Sequence, residues 1–168
     1  AMASATPRPP DSVFVYQVIQ PSLVLIQTEL PGETREKGLG TGVIINDFGE
    51  IITSLHVVAG VEKITLFFAD GTQAAGLVIS ESPEIDIAVL QAEVLPPRFV
   101  PAILGNPGAM RVGDEAYVVG HPFGLYSSMS AGVISGFNRT FQPPGSANQI
   151  EGLIQFDAAA NPGNSGGP

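Results

Sequence analysis

Short apolar runs rich in valine and isoleucine, each closed off by a turn signal, recur along nearly the whole chain. Runs of four to eight residues bounded by Gly, Pro, Asn and Asp read as β-strands. The first six are 23–29, 39–46, 50–54, 63–68, 73–80 and 86–91. Between them lie Pro31-Gly32, Asn46-Asp47-Phe48-Gly49, Asp70-Gly71 and Ser82-Pro83, all of turn-forming type. Six strands of this length suit a small closed barrel. Ahead of them, residues 1 to 10 are rich in Ala, Pro and Ser, begin with what resembles a cloning scar, and are expected to form a disordered tail. Asp11 or Ser12 then caps a short helix whose Val15, Val18 and Ile19 recur at helical spacing until Pro21 stops it. Residues 11–91 thus form an N-terminal segment and a first barrel.

Residues 92–113, with Pro96-Pro97, Pro101 and Asn106-Pro107-Gly108, have little periodicity and read as a crossover between lobes. Within 114–168, strands are expected at 115–119, 128–137 and 152–156, with a Pro-, Gly- and Asn-containing loop at 138–151. The expected class is therefore all-β. Hydrophobic residues make up 44% of the chain and charged ones 14%, the opposite of a disordered composition. A net charge of −9 with only seven Lys and Arg argues against nucleic acid or an anionic membrane as partner. No apolar run approaches the ~18 residues of a membrane helix. The absence of cysteine excludes disulfides and Cys-ligated metal, and two histidines in dissimilar contexts give no ligand cluster, so neither metal nor cofactor is expected.

The chemistry concentrates in Phe156-Asp-Ala-Ala-Ala-Asn-Pro-Gly-Asn-Ser-Gly-Gly-Pro168, where glycines and prolines crowd one hydroxyl, Ser165. The bared backbone of Gly163, Asn164 and Ser165 outlines an oxyanion hole, with the Gly163 and Ser165 N–H groups as donors. A serine needs a base, and the base needs an orienting acid. His56, in Thr-Ser-Leu-His-Val-Val-Ala-Gly, and Asp86, at the head of Asp-Ile-Ala-Val-Leu, supply both in the order His, Asp, Ser. His121, the only other imidazole, reads as a loop residue. Asp157 is too closely tied to the serine loop to reach the far side of His56, and ranks below Asp86 as the acid.

Six segments carry a resemblance: Gly40-Thr-Gly-Val-Ile-Ile, Leu55-His-Val-Val, Asp86-Ile-Ala-Val-Leu, Gly120-His-Pro-Phe-Gly, Ser130-Ala-Gly-Val-Ile-Ser and Gln155 to Pro168. Together they resemble the trypsin-like protease domain of the HtrA/Deg family. That resemblance implies a chymotrypsin-like double β-barrel, with the first barrel complete and the second present only in part. It implies an endopeptidase that cleaves unfolded or extended polypeptides through an acyl-enzyme in protein quality control, with a periplasmic or envelope location. It further implies a primary specificity pocket bordered by Ala160, a peptide- or subunit-sensing role for the loop 138–151, and a homotrimer joined through the N-terminal segment. In the family the position of His121 is usually asparagine. Because the chain stops three residues after Ser165, the isolated 168 residues are expected to have little activity. The alternative is a non-catalytic, protease-like fragment that binds peptides or partners.

Overall fold

A computed structural model describes residues 11–32, 37–121, 128–143 and 149–168. The expected tail at 1–10, part of the motif beginning at Gly120, and positions 144–148 of the expected loop lie outside the described residues.

Helix α1 covers Asp11–Ile19 and passes into a 3-10 turn at Gln20–Ser22, where Pro21, lacking an amide hydrogen, ends the α-helical ladder. Six strands follow: β1 (Leu23–Glu29), β2 (Lys37–Ile44), β3 (Ile51–Ser54), β4 (Lys63–Phe68), β5 (Gln73–Ser82) and β6 (Ile87–Ala92). They close into an antiparallel barrel in the order β1-β2-β3-β6-β5-β4. Alternate residues fill it, with Val24 and Ile26 from β1, Ile64, Leu66 and Phe68 from β4, and Ala88, Leu90 and Ala92 from β6. Strand β5 pairs first with β4 at Gln73 to Ala75 and then, from Gly76 onward, with β6, a pairing interrupted by an irregularity between Val78 and Ser80. A bulge of this kind sharpens the twist that closure requires.

Strand β2 ends earlier than its apolar run. The Asn46 side chain accepts from the Phe48 and Glu50 N–H groups at 3.1 and 3.2 Å, folding the backbone into a turn that ends the ladder at Ile44. The crossover contains only the 3-10 turn Pro107–Ala109. It is tied to the barrel by Ala102 N–H to Ile44 O (2.8 Å) and to the second sheet by Gly113 N–H to Ile134 O (2.9 Å).

The second sheet, β7 (Glu115–Gly120), β8 (Ser128–Phe141) and β9 (Ile150–Phe156), is antiparallel in that order. Here β8 is longer than expected. Asn138 reads as the start of a loop, but it adopts φ 53° within the strand, and pairing with β9 continues to Phe141 through successive register shifts. Most of the expected loop 138–151 is thus shared between the ends of β8 and β9 and the positions outside the described residues.

Candidate active site

The sheet, and not the chain, brings His56 to Asp86. Strand β3 pairs with β6 so that Ser54 faces Ile87, placing residues 55 and 56 beside residue 86. A one-turn helix, α2 (Leu55–Val58), follows β3 directly, with Val57 and Val58 buried against the barrel and His56 turned outward. Asp86 then binds this turn with three atoms. Its carbonyl accepts from Leu55 N–H at 2.9 Å, Oδ1 from His56 N–H at 2.9 Å, and Oδ2 lies 2.6 Å from His56 Nδ1. With Nδ1–H donating to the carboxylate, Nε2 is left as the ring's acceptor. Asp86 adopts φ 56°, a left-handed conformation that costs a non-glycine residue about 1–2 kcal/mol. Such strain persists where surrounding structure over-determines it, often at functional sites.

The loop with Ser165 is anchored on both lobes. On the second sheet, Asp157 Oδ1 accepts from Val133 N–H at 2.7 Å, and Ser130 Oγ donates to Ala159 O at 2.6 Å. Asp157 is therefore an anchor of the loop, its carboxylate turned toward β8. On the barrel side, Thr41 N–H donates to Ser165 O at 2.8 Å and Thr41 Oγ1 donates to Gly163 O at 2.7 Å. Gly166 adopts φ 80°, and a Cβ there would meet Thr53 Oγ1, Thr41 O and Ser54 N, so the loop lies directly on β2 and β3.

The Asn164 N–H donates to Asn161 O at 2.9 Å, within the loop. The N–H groups of Gly163 and Ser165 donate to no backbone carbonyl among the described residues. Gly163, Ser165 and His56 line one cleft of about 620 Å³. No hydrogen bond joins Ser165 to His56 here; catalytic hydrogen bonds commonly tighten only around substrate. A second cleft of about 810 Å³ meets the first at Pro162 and Ser165, bordered by Ala160 and walled by Tyr117, Val118, Ile134, Ile154 and Phe156. His121 stands apart, 3% exposed, with burial lowering its pKa to about 4, so it is neutral at pH 7. Its ring lies beside Thr41, a residue that sequence reasoning quoted within a motif but gave no role. Among the described residues no group of acidic or imidazole side chains forms a metal site, and no helix is long and apolar enough to cross a membrane.

Residues 40–168 match the family described as "Trypsin-like peptidase domain". This chain is a trypsin-like peptidase domain of the HtrA type. The domain is 36% identical over 138 residues to a "Probable periplasmic serine endoprotease DegP-like" of Brucella suis, covering 82% of this chain and 26% of that protein. It is 34% identical over 161 residues to "Protease Do-like 1, chloroplastic" of Arabidopsis thaliana, covering 95% of this chain and 36% of the relative. Among solved structures, "HtrA-type protease AlgW with tripeptide" superposes with a TM-score of 0.81 at 32% identity, over 94% of this chain and 50% of that one. The HtrA-type domain thus spans between about a quarter and a half of these relatives. Its closed barrel with a partial second sheet is the chymotrypsin-like arrangement of its structural neighbours.

Proposed function

We propose that the protein is a serine endopeptidase in which Ser165 is the nucleophile, His56 the general base and acid, and Asp86 the orienting carboxylate. The observation that carries this is the two-point grip of Asp86 on His56, through both ring and backbone, beside a cleft that His56 shares with Ser165. Ser165 Oγ attacks the scissile carbonyl carbon while its proton passes to His56 Nε2. As the C–N bond breaks, that proton goes to the leaving amine, and the acyl-enzyme is then hydrolysed by a water activated in the same way. The Gly163 and Ser165 N–H groups stabilise the oxyanion, each worth roughly 3–4 kcal/mol by precedent.

The substrates proposed are unfolded or extended polypeptides, handled as protein quality control in the periplasm or cell envelope. The periplasmic name of the Brucella relative supports that location, while a chloroplast location appears in the name of the Arabidopsis relative. The reaction requires no cofactor. The test is labelling by a fluorophosphonate serine probe, together with casein cleavage, in the full-length protein. Ser165→Ala and His56→Ala should each abolish cleavage without altering folding, and the double variant should lose little more than either single one. Retained cleavage after Ser165→Ala overturns the assignment. A parent protein that binds peptides but is never labelled is a binding module.

A further inference from the structure

The two proposed oxyanion donors flank Asn164, and the peptides around them are fixed both within the loop and from strand β2. The Gly163–Asn164 peptide is held at both ends: its carbonyl accepts from Thr41 Oγ1 at 2.7 Å, and its N–H donates to Asn161 O at 2.9 Å. The carbonyl of the Asn164–Ser165 peptide accepts from Gly167 N–H at 2.9 Å, and a trans peptide then sends the Ser165 N–H the opposite way. Ser165 O is held by Thr41 N–H at 2.8 Å. A single residue of β2 therefore grips the residues on both sides of Asn164. This is needed most at Gly163, whose φ of 102° belongs to a backbone with no side chain to restrict its rotation.

The Thr41 hydroxyl is itself oriented. Thr41 is fully buried, and its Oγ1 accepts from His121 N–H at 3.1 Å, with His121 Nδ1 at 3.4 Å. A hydroxyl has one proton to donate, and a carbonyl can only accept, so that proton is committed to Gly163 O. Thr53 Oγ1 donates to Thr41 O at 2.7 Å and fixes the opposite side of the residue.

We infer that Thr41 is a positioning residue for the oxyanion hole, acting through the Gly163 carbonyl, with the His121 backbone setting the direction of its hydroxyl. The inference rests on the protease reading above. Thr41→Val keeps shape and burial but leaves the Gly163 carbonyl unheld, whereas Thr41→Ser keeps the hydroxyl and loses only a methyl. In the full-length protein, Thr41→Val should lower kcat for a peptide substrate roughly 10- to 100-fold, since misplacement by about 1 Å costs ~100-fold. KM should stay within about twofold, because the ground state does not use the oxyanion hole. Thr41→Ser should stay within about threefold of the parent in kcat, which a role in packing alone does not predict. Equal kcat for Thr41→Val and parent overturns the inference. So does a Thr41→Ser variant that folds but loses tenfold or more, a comparison that stands even if Thr41→Val fails to fold. A parent that no serine probe labels overturns the protease reading and this inference together, whereas a labelled parent with an unaffected Thr41→Val overturns this inference alone.

Discussion

Adding one methyl group at Gly166 should both destabilise the domain and silence it. The backbone there has φ 80°, so alanine incurs the left-handed cost of about 1–2 kcal/mol. The new Cβ would also stand 2.7 Å from Ser54 N and closer still to Thr53 Oγ1 and the Thr41 carbonyl. Two of these three neighbours are backbone atoms of the closed barrel and cannot rotate away, which adds an overpacking cost of about 1–3 kcal/mol. The sum, about 2–5 kcal/mol, corresponds to a Tm lowered by roughly 5–20 °C in a domain of this size. The strain is relieved if the loop lifts from β2 and β3, carrying Ser165 with it, and a displacement near 1 Å predicts about 100-fold slower acylation. Gly71→Ala separates the two terms: its φ is 88°, yet a Cβ there would have nothing within 4 Å, so it should show only the conformational cost. Urea unfolding and serine-probe labelling, run on both variants, measure the two effects. If Gly166→Ala were no less stable than Gly71→Ala and labelled at the parent rate, the loop would not rest on the barrel as described.

Asp86→Asn should lower kcat about 10⁴-fold by favouring the wrong imidazole tautomer, with folding retained, and steady-state kinetics measures this. His121 predicts an acid-labile fold: its folded pKa of about 4 lies below the ordinary 6.5, so the unfolded chain binds the extra proton. Its contribution is complete above pH 6.5 and declines as pH falls toward 4, by about 3 kcal/mol in total, a difference that His121→Asn should remove from urea titrations across that range. Ala160 leaves room in the apolar cleft beside Ser165, so a peptide library should show cleavage after aliphatic residues as large as leucine or methionine, and a profile dominated by Arg or Lys refutes this. Helix α1 exposes Phe14 and Val18, at 62% and 54%, and if it joins protomers into a trimer, removing residues 1–20 should yield monomers by light scattering.

What the sequence determined by itself was the local content of the fold and the candidates for the reactive groups. Valine- and isoleucine-rich runs between turn formers mark strands because alternation and turn chemistry act over a few neighbouring residues. Ser165 is conspicuous because its glycines lie beside it in the chain. What only tertiary structure decided is which groups meet. His56 and Asp86 are joined by the register of β3 against β6, a pairing that no local pattern encodes. Asn138 has the composition of a loop, yet cross-strand pairing with β9 carries β8 past it as an irregularity. The Asn164 N–H closes a turn on Asn161, a matter of backbone direction and not of residue type. Thr41 is the furthest from legible. Its importance comes from hydrogen bonds to Gly163 and Ser165, more than a hundred residues away, formed because the loop packs onto β2 where a glycine at 166 lets the backbones touch.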